Sequence, residues 1–287
     1  MSNVSIPEIF PKSTFSRADV EAEQKLRLSV PGCVSSTITE SGNNSVLTTV
    51  LAPADTVAEP PAAVAAAPPP QSALDSGLRA AVRMNEIGDA SPYKLSFAGK
   101  GKSGASFGFM QGDMAAGQPI VHAAFRAALE AADVPPETIT SLAQRLSVPL
   151  IFNPLDPENT ALVNNALDAP AGREQVDAMD RTIFDQVCTS LDKCVEVAQA
   201  SGRQIMPKAQ IYMLLWINMT GPPTTLLSWL AGNPVTLAKL VPRPGPTIDG
   251  DAMHAYLAAT SFYTENPQDL PHILLSAAAG MNAIAMA

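Results

Sequence analysis

The chain has 287 residues and a formal net charge of −9, enough length for one sizeable core and a tail. The acidity excludes a general DNA or RNA binder, which presents a basic face, and supplies no polybasic patch for an anionic membrane. Cys188 and Cys194 fall on different faces of one predicted helix, Cys33 lies far upstream, and no metal-ligand spacing surrounds any of the three. No disulfide, metal or other cofactor is therefore expected.

Residues 1–71 read as a tail. Glu8, Lys12, Arg17, Asp19, Glu21, Glu23, Lys25 and Arg27 interrupt any apolar run in the first part, so no secretory signal is recognised there. Apolar stretches elsewhere fall short of the roughly 20 residues that a membrane span needs. A role outside the cytoplasm would need export by a specialised secretion machine or release by lysis, and localisation stays open. Residues 1–51 are expected to be weakly ordered or disordered, with one short helix near 17–28. The Ala/Pro-rich residues 52–71 are expected to form a semi-rigid linker, because proline favours extended chain and alanine alone offers no core. Such a tail would be the attachment point for a phage or secretion-machine partner.

A mainly α domain is expected over 72–287. Leu74, Leu78 and Val82 recur at helical spacing and predict a helix over 73–87, with Ser72 or Asp75 as cap and Gly88 as stop. The same stripe carries Glu86 onto the inward face. From Ser91 to Asp113 the pattern turns strand-like: Leu95-Ser96-Phe97 and Ser106-Phe107-Gly108-Phe109 flank Gly99, Gly101 and Gly104, which predicts a glycine-rich hairpin. Helices follow over 119–133, 136–147, 156–168, 171–201, 207–219, 222–231, 235–241, 250–263 and 271–285. The helix over 207–219 is apolar nearly all round and should be central.

An acid on the inward face of a helix is costly, since desolvation disfavours its charged form and raises its pKa. Glycoside cleavage uses such a protonated acid to give a proton to the leaving sugar oxygen. Gly99-Lys100-Gly101-Lys102-Ser103-Gly104 lacks the spacing of a phosphate loop, and His122, His254 and His272 are scattered, which argues against nucleotide and metal sites.

The run Gly104-Ala105-Ser106-Phe107-Gly108-Phe109-Met110-Gln111-Gly112-Asp113, behind Glu86, resembles the hairpin of goose-type lysozymes and soluble lytic transglycosylases. There a Glu at a helix end precedes a strand of the form Gly-Phe/Tyr-Gly-Leu/Met-Met-Gln. The resemblance spans roughly 78–118. It implies a lysozyme-like fold with a small β-hairpin and cleavage of the β-1,4 bond of peptidoglycan. Glu86 would be the general acid, and Asp113 the acidic residue that follows Met-Gln. Substrate contacts are expected from Gln111, Ser106, Phe107 and Tyr93, and from Thr220 together with Asn218 and Thr224 in the loop after the central helix. The Glu-Ser pair of the superfamily is Glu86-Ile87 here, and Glu40-Ser41-Gly42 in the tail reads as a chance triplet. Hydrolysis and non-hydrolytic cleavage both stay open. So do an inactive glycan-binding or structural module of a phage or secretion apparatus, and a hydrolase of another polysaccharide such as chitosan.

Overall fold

The computed structural model of the chain describes residues 4–11, 33–41, 44–51, 69–97, 103–150, 152–221 and 223–287. Two compact units result, Met1–Ala67 and Pro68–Ala287.

The first unit holds β1 (Val4–Pro11), β2 (Cys33–Ser41) and β3 (Asn44–Leu51), which form an antiparallel sheet in the order β1-β3-β2. Residues 1–51 are expected from the sequence to be weakly ordered, and the described strands fall within that stretch. Val46 pairs with Ile9 on one side and Thr39 on the other, and Thr48 pairs with Pro7 and Thr37. β-Branched residues suit a pleated strand, and they recur in Val-Ser-Ser-Thr-Ile-Thr of β2 and Val-Leu-Thr-Thr-Val of β3. β2 and β3 pair from Ser41 opposite Asn44 back to Cys33 opposite Leu51. Glu40 and Ser41 end β2. The helix expected near 17–28 and most of the 52–71 linker lie outside the described residues.

The second unit is mainly helical with small sheets. Its helices are α1 (Gln71–Glu86), α2 (Pro119–Glu130), α3 (Pro136–Leu146), α4 (Pro157–Asp168), α5 (Pro170–Ala200), α6 (Pro207–Thr220), α7 (Thr224–Leu230), α8 (Gly250–Ala259), α9 (Ser261–Glu265) and α10 (Leu270–Met286). Prolines open α2 to α6 at a first-turn position, where the missing N–H costs nothing. Between α1 and α2 lies an antiparallel sheet of β4 (Ser96–Phe97), β5 (Ala105–Phe107) and β6 (Gly112–Asp113), in that order. A two-stranded parallel sheet pairs β7 (Gln204–Ile205) with β8 (Thr247–Ile248).

α6 is central, as its all-round apolar composition predicts: every residue from Ile211 to Ile217 is buried. α1 packs Leu74, Leu78, Ala81 and Val82 inward. α10 crosses α1 at a pair of glycines. A Cβ on Gly77 would lie 2.8 Å from the Gly280 carbonyl, and one on Gly280 would lie 2.7 Å from the Gly77 carbonyl. Side chains at either position would push the two backbones apart. Further along the crossing, His272 Nε2 donates to the Asn85 carbonyl at 2.9 Å.

Three predicted elements are corrected. No helix forms over 235–241. Pro234 precedes the run, and Pro242, Pro244 and Pro246 follow it and cannot continue a helix, and Lys239 N–H donates to the Ala259 carbonyl instead. The helix expected over 250–263 breaks at Thr260, whose extended backbone caps α9 and whose hydroxyl donates to the Leu257 carbonyl at 2.7 Å. α1 begins after Pro70 with no side-chain cap. Asp75 accepts from the Gln71 side chain, and Ser72 offers its carbonyl to Ser76. Gly88, at φ +54°, does end the helix, and its N–H closes on the Arg83 carbonyl.

Candidate functional site

Glu86 is the last residue of α1 and is half-buried. Asn218, in the last turn of α6, donates through Nδ2 to Glu86 Oε1 at 2.9 Å, and Asn85 Nδ2 donates to the same oxygen at 3.0 Å. Burial raises the Glu86 carboxyl above the usual range, while the two amide donors and nearby His272 pull it back down. Among the described residues, its hydrogen bonds come from α1 and α6 and none from the sheet.

The sheet is a structural unit held by α5. Phe107 is fully buried, with its ring centroid 6.2 Å from that of Phe125. This corrects the expectation that Phe107 contacts substrate: all three residues of β5 are buried, so both faces of the strand are covered. The predicted hairpin is three-stranded, and Phe109 leaves the strand to sit on the turn Gly108–Gln111, 6.2 Å between centroids from Phe184. Arg79 of α1 lies 4.1 Å above that same Phe184 ring. Gln111 adopts φ +50°, its Nε2 donates to the Gly108 carbonyl at 2.9 Å, and its Oε1 accepts from the Ser96 hydroxyl. Its side chain therefore ties β4 to the turn. Ser106 is buried and pairs with Ser96 and Asp113 across the sheet.

Asp113 caps the 3-10 turn Met114–Ala116 by accepting from Ala115 N–H at 2.8 Å, and it also accepts from Gly104 N–H at 2.8 Å. Both amides donate to Oδ1 of the carboxylate that the resemblance offers as a second catalytic group. Tyr93 Oη donates to Asp177 at 3.0 Å, and its ring lies 4.9 Å from the Arg173 guanidinium, so it reaches α5 and makes no hydrogen bond to Glu86. Thr220 ends α6 with its hydroxyl donating back to the Trp216 carbonyl at 2.8 Å. Of the predicted residues, Thr220 shares the end of α6 with Asn218, while Gln111, Ser106, Phe107 and Asp113 share the sheet.

Asp180 was not anticipated. It is 1% exposed and accepts from the Phe109 and Met110 amides of the turn at 2.8 and 3.1 Å. It lies on the otherwise apolar stripe of Val176, Met179 and Ile183, the same irregularity that marked Glu86, so it could have been found. Burial pushes its carboxyl up to about 6, against the pull of the two amides. The folded state holds this proton more tightly than the unfolded chain, so the group's contribution is complete below about pH 4 and is lost as pH rises through about 6. The loss is on the order of 3 kcal/mol. Urea unfolding of wild type and Asp180→Asn between pH 4 and 7 should show wild type losing ground to the variant as pH rises. A difference independent of pH would refute the assignment.

Among the described residues, no group of three or more His, Cys, Asp or Glu side chains sits close enough to hold a metal ion, and no helix is long and apolar enough to cross a membrane. No family model, curated protein or solved structure matches the chain.

Proposed function

We propose that the chain cleaves the β-1,4 glycosidic bond of peptidoglycan with Glu86 as general acid, on a lysozyme-like helical fold. The observation that carries this reading is a helix-terminal carboxyl that is half-buried, biased by desolvation toward its protonated form, and followed in the chain by the small sheet with its Gly-Phe-Met-Gln turn. In the step proposed, the Glu86 proton passes to the glycosidic oxygen as its bond to the anomeric carbon breaks, and the electron pair leaves with that oxygen. Asp113 is read as structural, because its Oδ1 caps the 3-10 turn and ties Gly104 to it, so no second carboxylate is assigned to activate water. The N-acetyl oxygen of the substrate then attacks the anomeric carbon. A hydroxyl of the same sugar displaces it, closing an anhydro ring and returning its proton to Glu86.

Mass analysis of muropeptides from digested, purified peptidoglycan tests both halves. Anhydro-ended products, lighter by one water than hydrolysed ones, are expected. Products that have gained water would remove the non-hydrolytic route and reinstate a second carboxylate. Intact peptidoglycan after prolonged digestion would remove the proposal itself.

A further inference from the structure

The two amides at Glu86 converge on one oxygen. Asn218 Nδ2 and Asn85 Nδ2 both donate to Oε1, at 2.9 and 3.0 Å. An oxygen that accepts two N–H groups is a poor place for a carboxylic proton, which goes to the oxygen left free of donors. The orientation of Asn85 is itself supported from α10. His272 Nε2 donates to its backbone carbonyl at 2.9 Å, and the Ser276 hydroxyl, 3.5 Å from Asn85 Oδ1, donates to the His272 carbonyl at 3.0 Å.

We propose that Asn218 and Asn85 are positioning residues that keep the Glu86 acid proton on Oε2 and stabilise the carboxylate that forms when it leaves. The catalytic part of this inference rests on the glycan-cleaving reading; the placement of the proton does not. The charge bearing on Glu86 from α10 is His272. The titratable residues of α6, Lys208 and Tyr212, lie in its first two turns, away from Asn218, and on α1 the exposed Arg83 lies about one turn before Glu86.

The test uses the full chain carrying carboxyl-labelled glutamate, with the Glu86 resonance followed by NMR titration in wild type and Asn218→Leu. Losing a donor that favours the charged form moves the Glu86 titration to higher pH. The alkaline limb of the activity profile should move the same way, and kcat should fall roughly ten- to hundredfold. A merely structural asparagine would lower stability or kcat without moving the titration. An unmoved Glu86 titration overturns the inference, whatever the activity. A shifted titration in a protein whose wild type leaves glycans intact upholds the proton placement and removes only the glycan-cleaving reading. If Asn218→Leu does not fold, Asn85→Leu removes the other donor and is read in the same way.

Discussion

Glu86→Gln should lose about 10²- to 10⁴-fold of peptidoglycan-cleaving activity while unfolding at the wild-type denaturant midpoint. The glutamine keeps the length of the side chain and an amide oxygen that still accepts from Asn218 and Asn85, so the contacts recorded at Oε1 survive. What it lacks is a transferable proton, and the loss therefore isolates acid catalysis from packing. A turbidity assay on cell-wall suspensions, with circular dichroism on the same preparations, reads both quantities. Equal clearing by wild type and variant would sink the assignment of Glu86. Asp113→Asn should behave differently. Its carboxylate meets the Ala115 and Gly104 amides, so the main cost should appear in stability.

The largest expected stability loss is at the turn of the sheet. Gly108 adopts φ +83°, and a Cβ there would stand 2.4 Å from Asp180 Oδ1 and 2.7 Å from Met179 Cε. Gly108→Ala thus faces two separate penalties. The backbone conformation costs an L-residue about 1–2 kcal/mol. Displacing the Asp180 carboxylate strips the Phe109 and Met110 amides of their acceptor, at about 1–3 kcal/mol for each buried group left unpaired. A total on the order of 3–8 kcal/mol is expected in urea unfolding. Gly117 supplies the control. Its φ is +68°, yet nothing lies within 4 Å of a Cβ there. Gly117→Ala should carry the backbone penalty alone, and the difference between the two variants reads the Asp180 contact. Equal losses at both glycines would mean that Asp180 does not hold the turn.

Helix periodicity made most of the second unit legible. The stripe through Leu74, Leu78 and Val82 located α1 and put Glu86 on its inward side, and the all-apolar run after Pro207 located the central helix. Misreadings arose where a local pattern has two physical outcomes. Ser106-Phe107-Gly108-Phe109 alternates like a half-exposed strand, yet β5 is covered on both faces, and Phe107 became core. Val235 to Val241 is apolar enough for a helix, but flanking prolines confine it to irregular chain. The partners of Glu86 were the least legible part. Asn218 had been noted only as a sugar contact, and Asn85 had not been noted, because their meeting depends on how α6 and α10 pack against α1, which no local spacing encodes.

The glycine crossing of α1 and α10 also has a consequence in time. The hydrogen bond from His272 to Asn85 joins residues 187 positions apart. At a synthesis rate of about 5–20 residues per second, the wait between those two residues is on the order of ten to forty seconds. Throughout that interval the inward stripe of α1 has no α10 to cover it, and Asn85 lacks the contacts with α10 that orient it. The setting of Glu86 is therefore among the last features of this unit to form, and a nascent chain that stops short of α10 displays the acid without its surroundings.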